Sequence, residues 1–433
     1  METAYKPITS IVFAILLVLF GLISVANAQE APKCGEEITF DTETRSMAEL
    51  PTIEISEARM VSASVLGIDA MLGFPDSDRE EGPRYVELRA TINGQSVREN
   101  IEVTDLVGPG ESIPIKWVYT ERLQINLANT KDEEGNPVRV PRFTRNEKFD
   151  LEAIAWSSAS GRSQIAVKEV EILLPVIIVH GWSSEHLIPA SVPFHIYGDL
   201  IARLKVEGYS TDASGYKTIW FKRYSSQTWS PEEVSNWLDN LVGEAINATY
   251  AERVNIIGHS LGGLVGRYYI TNHLGTSKVH KLIMVGTPSK GSSIFYTLTS
   301  GLSIDGINRK LDRSPLLQWA IPIYQALYSV EHEPLPPPIP NNFPDKPAPE
   351  GVTYYSIYSM GTNTPYGLIV EPCRGWYKVI DKRYYQTQGD GLVPWESANL
   401  DGAINKPLLV YSRHSFLPKN PIVQNAIIES LED

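Results

Sequence analysis

The stretch Gly258-His259-Ser260-Leu261-Gly262 decides the fold of this chain, because it directly follows the apolar run Val254-Asn255-Ile256-Ile257. Such a run predicts a buried strand, and the small and apolar residues after Ser260 predict a helix that packs closely on it. A strand that turns sharply into a helix strains the residue at the turn, and glycines two positions to either side leave room for that turn. Ser260 is therefore predicted to project from the upper edge of a sheet.

A serine at such a turn is a candidate nucleophile, and it needs a histidine to remove its proton and a carboxylate to orient that histidine. Of the eight histidines in the chain, His414 lies far downstream, just after the apolar segment 407–411. His414 is the predicted base. The adjacent His259 is expected to pack or form hydrogen bonds under the turn, since neighbouring side chains at a turn point apart.

The predicted acid is Asp390, within Gly389-Asp390-Gly391-Leu392-Val393-Pro394, because an aspartate between glycines can present its carboxylate from a tight loop. Asp381, Glu396 and Asp401 are the alternatives, and their default interpretation is solvated surface charge. Taken alone, Asp390 and His414 also have ordinary structural explanations. Asp390 could simply stabilise a turn, and His414 could be a surface or core histidine whose ring nitrogens form hydrogen bonds with no catalytic role.

An oxyanion formed by attack of Ser260 would need two backbone donors. The first is the N–H of Leu261 within the turn itself. The second is the N–H of Trp182, because the apolar strand predicted at 174–179 ends at His180-Gly181-Trp182. Trp182 is also the candidate substrate-binding side chain. No metal or cofactor is expected, since His180, His186 and His195 are irregularly spaced and no cysteine or carboxylate frame accompanies them.

Four motifs in order resemble the α/β-hydrolase superfamily, and more narrowly its secreted lipases and related acyltransferase-like esterases. They are His180-Gly181-Trp182, the glycine-rich turn at 258–263, Val285-Gly286-Thr287-Pro288 with Gly291-Ser292, and 389–394 with His414 downstream. The resemblance covers residues 173–433 and implies an α/β-hydrolase fold with a mostly parallel sheet. It also implies the order nucleophile, acid, base along the chain. Within this part, residues 231–248 are predicted to form a helix that Ser230 caps, and 408–411 are predicted to be the last of about six strands.

Residues 29–172 are predicted to form a smaller antiparallel β-sandwich, loosely similar to an immunoglobulin-like accessory domain. Val86, Leu88, Ala90 and Ile92 alternate with polar residues before Asn93-Gly94, which is a strong hairpin signal. Further strand-like runs are found at 113–119, 123–127, 149–156 and 163–172. Nothing in this part indicates catalysis, so a spacer or docking role is the simplest interpretation.

Residues 292–350 interrupt the strand and helix alternation and contain a dense apolar cluster at 316–328 and a proline-rich return at 334–349. At this position the resemblance implies a lid over an acyl pocket, and an ordinary packed subdomain is the alternative. An apolar pocket favours a lipid or other acyl-ester substrate, with a lipid–water interface as a further partner. The predicted function is a lipase or esterase; acyl transfer or thioester hydrolysis by the same residues is the alternative, and a non-catalytic surface-binding protein is the third.

The first 28 residues predict a signal peptide, because the apolar run 11–25 ends in Ala26-Asn27-Ala28, a small-x-small cleavage pattern. Secretion or export is therefore expected, with an uncleaved N-terminal anchor as the alternative. Cys34 and Cys373 are the only cysteines, so at most one intramolecular disulfide can form. The net charge of −13 disfavours nucleic acid as a partner.

Overall fold

The computed structural model describes residues 50–79, 82–115, 122–182, 192–213, 216–225, 230–272, 275–289, 348–373 and 376–433. The predicted signal peptide, most of the predicted lid at 292–350 and the strand-like residues Trp117 and Tyr119 lie outside these described residues. No helix within the described ranges is both long and apolar enough to cross a membrane.

Two antiparallel sheets form the N-terminal part of the described chain. One contains β1, β2, β5 and β6, and the other contains β3, β4 and β7 to β11. Their bounds are β1 Thr52–Ser62, β2 Val65–Gly73, β3 Arg84–Ile92, β4 Gln95–Glu102, β5 Ser112–Ile115, β6 Leu123–Asn126, β7 Thr130–Lys131, β8 Pro137–Val138, β9 Glu147–Ser157, β10 Gly161–Arg162 and β11 Ala166–Ile172.

The predicted hairpin around Asn93-Gly94 is confirmed. Strands β3 and β4 pair in an antiparallel register from Tyr85 opposite Glu102 to Ile92 opposite Gln95. Asn93 and Gly94 have φ values of 49° and 72°, the left-handed geometry that a two-residue hairpin turn requires. The alternating apolar residues of β3 enter one buried core with apolar residues from the other sheet, as the period-two pattern predicts.

A six-stranded parallel sheet follows, with strands in the order β13-β12-β14-β15-β16-β19. A separate antiparallel pair, β17 and β18, lies between β16 and β19 in the chain. The bounds are β12 Val176–Val179, β13 Ile219–Phe221, β14 Val254–His259, β15 Val279–Val285, β16 Thr353–Ser359, β17 Thr362–Cys373, β18 Trp376–Gly389 and β19 Ile404–Leu408. The helices are α1 Val192–Val206, α2 Pro231–Ala248, α3 Leu261–Asn272, α4 Gly275–Lys278, α5 Trp395–Ala398 and α6 Pro421–Glu432, with 3-10 turns at Asp76–Arg79 and His414–Lys419.

Both faces of the parallel sheet are buried because successive strand residues point to opposite sides. Ile177 and Ile256 pack with apolar residues of α2 and α3 on one face. Ile178 and Ile257 pack with apolar residues of α1 and α6 on the other. Helix α2 begins as predicted at its N-cap Ser230, which forms a reciprocal capping box with Glu233.

The predicted position of the last parallel strand, 408–411, is wrong. That strand is Ile404–Leu408, paired with β16 from Tyr355 opposite Ile404 to Ser359 opposite Leu408. It lies at the sheet edge, where Pro407 is tolerated because one side of the strand needs no ladder hydrogen bonds. The apolar residues after it, Leu409 and Tyr411, are 74% and 85% exposed, so their hydrophobicity does not mark a buried strand.

The N-terminal sheets meet the parallel sheet at the segment that leads into β14. Phe143 and Ala251 form an isolated parallel β-bridge. The hydroxyl of Tyr250 donates to the carbonyl oxygen of Val140 at 2.5 Å, and Phe143, Tyr250 and Ala251 are all buried in the core of the N-terminal sheets. This junction lies before β14, whereas Ser260 directly follows that strand.

Candidate active site

Ser260 lies at the sharp turn between β14 and α3. Its φ of 56° is a left-handed value that non-glycine residues rarely adopt, and its side chain is buried. The backbone N–H of Ser260 donates to the carbonyl oxygen of Val285 on the neighbouring strand at 2.9 Å. A β carbon on Gly258 would lie 2.6 Å from the backbone of Gly263, and one on Gly262 would lie 2.2 Å from the carbonyl oxygen of Val179. The glycines beside the serine are therefore required by space.

The structure brings Ser260, His414 and Asp390 together at the carboxyl end of the parallel sheet. Nε2 of His414 lies 2.8 Å from Oγ of Ser260, and Nδ1 lies 2.7 Å from Oδ2 of Asp390. A carboxylate can only accept, so Nδ1 carries the imidazole proton and the lone pair of Nε2 faces the serine hydroxyl. All three side chains are buried.

Asp390 is held by its own loop as well as by the histidine. Its Oδ1 accepts the backbone N–H groups of Leu392 and Val393 at 2.9 and 2.7 Å, while Oδ2 faces His414. The backbone N–H of His414 donates to the carbonyl oxygen of Asp390 at 2.9 Å. The turn-capping interpretation of Asp390 and its predicted role beside His414 therefore coexist, one on each carboxylate oxygen.

The alternative acids are placed differently. Asp401 is exposed, and Glu396 lies on the short helix α5 after the Asp390 loop. The side chain of Asp381 lies outside the described residues. Among the described residues, no group of three or more His, Cys, Asp or Glu side chains is arranged to hold a metal ion.

The predicted oxyanion donors lie on two segments beside Ser260. Leu261 is the first residue of α3, where backbone N–H groups have no partner within the helix. On the other segment, a β carbon on Gly181 would lie 2.7 Å from Cβ and 3.2 Å from Oγ of Ser260. The loop that contains Trp182 thus passes directly over the serine. The indole of Trp182 is partly buried and packs against the core on the α2 and α3 face, so its contact with substrate stays a prediction.

Residues 175–324 match the family model of the alpha/beta hydrolase fold. Together with the six-stranded parallel sheet, this match shows an α/β-hydrolase fold. Among solved structures, the mature lipase BlEst2 of Bacillus licheniformis is similar at 13% identity and a TM-score of 0.41, covering 60% of this chain and 92% of the lipase. Phospholipase PlaB of Legionella pneumophila is similar at 15% identity and a TM-score of 0.33, covering 60% of each chain.

Within this hydrolase domain, His180 anchors the loop over Ser260. Its Nδ1 lies 2.7 Å from the carbonyl oxygen of Gly181, and its Nε2 accepts the backbone N–H of Tyr224 at 3.3 Å. The imidazole also stacks on the Tyr224 ring at 4.2 Å. Burial lowers the pKa of His180 to about 4, so the ring is neutral and one nitrogen can donate while the other accepts.

His259 is buried under the sharp turn at Ser260, called the elbow below. Its two ring nitrogens contact other groups than the serine hydroxyl. Its Nε2 lies 3.1 Å from the carbonyl oxygen of His414, and its Nδ1 lies 3.0 Å from the hydroxyl of Tyr197. The expectation that His259 packs and forms hydrogen bonds under the turn agrees with these contacts. No local sequence pattern predicts the contact with Tyr197 on α1, because 62 residues separate it from His259.

Proposed function

We propose that this protein is a serine hydrolase that cleaves carboxylic esters of lipids through a covalent acyl-enzyme. The observation that carries the proposal is the continuous path from Oγ of Ser260 through His414 to Asp390, with links of 2.8 and 2.7 Å. Such a path needs no rearrangement to transfer a proton. The family match supports hydrolase chemistry in general.

In the proposed mechanism, His414 takes the Ser260 proton on Nε2 as Oγ attacks the ester carbonyl carbon. Asp390 holds the imidazole in the tautomer that accepts this proton and stabilises the imidazolium that forms. His414 then returns the proton to the alkoxide leaving group, and an acyl ester on Ser260 remains. Water repeats the sequence on the acyl ester, releasing the carboxylic acid and regenerating the serine.

The negative charge that develops on the carbonyl oxygen requires donors on the far side of Ser260 from the imidazole. The backbone N–H groups of Leu261 and Trp182 are the proposed donors, because α3 begins at Leu261 and the Trp182 loop lies against Ser260. Donors fixed before reaction cost no reorganisation, and each contributes on the order of a hundredfold or more in rate.

The proposed preference for an acyl chain rests on the sequence between strands β15 and β16 of the parallel sheet. The stretch 316–328 is rich in apolar residues and contains no charged residue. Each methylene of a substrate tail removed from water stabilises the complex by about 0.8 kcal/mol. A polar headgroup would gain nothing from such apolar residues, so we assign the recognition to the acyl part.

The first experiment compares the wild type with Ser260→Ala on a series of p-nitrophenyl acyl esters of increasing chain length. We expect Ser260→Ala to lose at least about a thousandfold in kcat and to keep the wild-type unfolding midpoint. Ser289→Ala is the matched control, since Ser289 is also a buried serine that follows a strand of this sheet, and it should keep activity. Unchanged turnover by Ser260→Ala would refute the mechanism.

Product analysis separates hydrolysis from its rivals. With a long-chain ester and an added alcohol, a hydrolase releases free acid, whereas an acyltransferase forms the new ester. A paired comparison of an acyl ester with the matching acyl thioester tests thioester preference. If acyl transfer or thioester cleavage predominates, the proposed reaction on carboxylic esters is wrong, whereas the role of Ser260 as nucleophile still stands.

A further inference from the structure

We propose that Tyr197 and His259 act as positioning residues that hold the backbone of His414 in register with Ser260. The inference rests on the proposed function, because it assigns a second layer of residues to the same site. The geometry that supports it is a buried chain of hydrogen bonds from α1, through the end of β14, to the loop of the proposed base.

The direction of each hydrogen bond in this chain is fixed by chemistry. The carbonyl oxygen of His414 can only accept, so Nε2 of His259, 3.1 Å away, carries the proton. Nδ1 of His259 is then an acceptor, and the Tyr197 hydroxyl at 3.0 Å donates to it. Tyr197 and His259 are only 3% and 5% exposed, so water does not compete for these bonds.

The electrostatics keep His259 neutral, so one ring nitrogen can donate while the other accepts. Burial and, to a smaller extent, the nearby His414 together lower its pKa to about 3, so the ring stays neutral. The two imidazoles lie 5.0 Å apart. When His414 becomes an imidazolium during turnover, it therefore faces a neutral ring whose N–H still donates to its carbonyl.

Both backbone polar groups of His414 are held by hydrogen bonds, and the bond from His259 supplies the second of them. Its N–H donates to the carbonyl oxygen of Asp390 at 2.9 Å, and its carbonyl accepts from His259, the residue directly before Ser260. The base is thereby tied to the acid through one backbone group and to the nucleophile's neighbour through the other.

The same chain reaches the loop over the serine. The Tyr197 hydroxyl also interacts with the backbone of Gly181, where an added β carbon would lie 2.7 Å from Cβ of Ser260. One tyrosine on α1 thus borders the segments that carry the proposed nucleophile, base and oxyanion donor. Loss of its hydroxyl should disturb the alignment of these segments without removing a reacting group.

The test measures kcat, KM and the rate of Ser260 labelling by a fluorophosphonate probe in three variants. We expect His259→Leu to lower kcat and the labelling rate by about 10- to 100-fold with KM within about twofold of wild type, since a small misplacement of the base affects the chemical step. His259→Gln, whose amide nitrogen can replace the Nε2 donor, should recover most of this loss. Tyr197→Phe should lower kcat by about three- to tenfold.

Tyr250→Phe is the matched control, because it also removes a buried hydroxyl that donates to a backbone carbonyl, at the other end of β14. All rates are divided by the concentration of labelled sites, so a misfolded fraction does not lower them. The positioning role is refuted if His259→Leu and Tyr197→Phe keep wild-type kcat per site, or if Gln and Leu at position 259 are equally impaired. Failure of wild type itself to label at Ser260 would instead refute the proposed function.

Discussion

Gly286 lies against the carboxylate of Asp390: a β carbon at position 286 would be 3.0 Å from Oδ2, the oxygen that faces His414. The same carbon would lie 3.3 Å from Nδ1 of His414 and 2.7 Å from Leu417. Gly286 also has a φ of 56°, a value that disfavours any side chain. The glycine of the Val285-Gly286-Thr287-Pro288 motif therefore provides the space in which the carboxylate of Asp390 and the imidazole of His414 meet.

Gly286→Ala should lower kcat by about 10- to 100-fold, because the methyl group displaces Oδ2 or the imidazole by a few tenths of an ångström or more. Steady-state kinetics with a p-nitrophenyl ester checks this. Gly94→Ala is the control: its φ of 72° imposes a similar backbone strain, but no atom lies within 4 Å of the added carbon. It should cost about 1 kcal/mol of unfolding free energy and no activity. Equal activity of both variants would show that Gly286 is not critical to the pair.

Asp390→Asn should abolish most activity while the loop is retained. An asparagine oxygen can still accept the N–H groups of Leu392 and Val393, but its NH₂ would then face Nδ1 of His414. The imidazole would then carry its proton on Nε2. A protonated Nε2 cannot accept the hydroxyl proton of Ser260. A loss of about 10⁴-fold in kcat follows from this change of tautomer.

Asp401→Asn and Glu396→Gln serve as controls for the acid, since both are alternative carboxylates downstream of the elbow. We expect them to keep activity within about twofold, as substitutions away from the reacting groups usually do. If either lost more activity than Asp390→Asn, the assignment of the acid would have to change.

Local signals were sufficient to predict the elements whose geometry depends on neighbouring residues. Asn93-Gly94 specifies its own turn, Ser230 caps α2, and the glycines around Ser260 specify the elbow. The apolar pattern misplaces the edge strand β19, because Lys406 and Pro407 are unlike residues of a buried strand, while the apolar Leu409 and Tyr411 after it are exposed. Apolar pattern alone cannot distinguish the two without knowing which strand lies at the edge.

Contacts between distant segments could not be predicted in the same way. The antiparallel pair of β17 and β18, immediately before Asp390, contains Pro365 and Pro372 and register shifts, and it shows no clean alternation. The bonds of His259 to Tyr197 and to His414 span 62 and 155 residues. The motif order predicted which residues would meet at the elbow, whereas their supporting bonds depend on the folded backbone. The catalytic roles themselves stay predictions.

Tyr250→Phe should lower the unfolding free energy by about 1–3 kcal/mol and leave activity per folded molecule unchanged. The substitution removes the donor to the carbonyl oxygens of Val140 and Leu127 at the junction with the N-terminal sheets, and these buried acceptors lose a partner. Chemical denaturation monitored by tryptophan fluorescence measures the change. Tyr411→Phe, at a position that is 85% exposed, should have no effect, and a similar loss there would contradict this explanation.

Stability should fall as the pH is lowered from about 7 to about 4, because the buried His259 and His180 and the partly buried His280 resist protonation. The pKa values of His259 and His180 are about 3 and about 4 in the folded protein, below the ordinary value of 6.5. At pH values between the folded pKa and 6.5, the unfolded chain binds more protons than the folded protein, so lowering the pH favours unfolding. Above pH 6.5 the histidines are neutral in both states, and their contribution no longer changes with pH. His259 and His180 then each account for a loss of about 2 kcal/mol by about pH 5.

Urea unfolding at several pH values across this window tests the sign and the source of that dependence. His259→Gln removes one of these histidines, so its stability should decline less steeply with falling pH than that of wild type. Ser260→Ala keeps all of these histidines, so its stability should decline with pH in parallel with that of wild type. It is a useful control because the Ser260 side chain lies beside His414 in the same site. A slope in His259→Gln that matched wild type would assign the acid sensitivity to other groups, because the buried imidazole at position 259 would then contribute nothing to it.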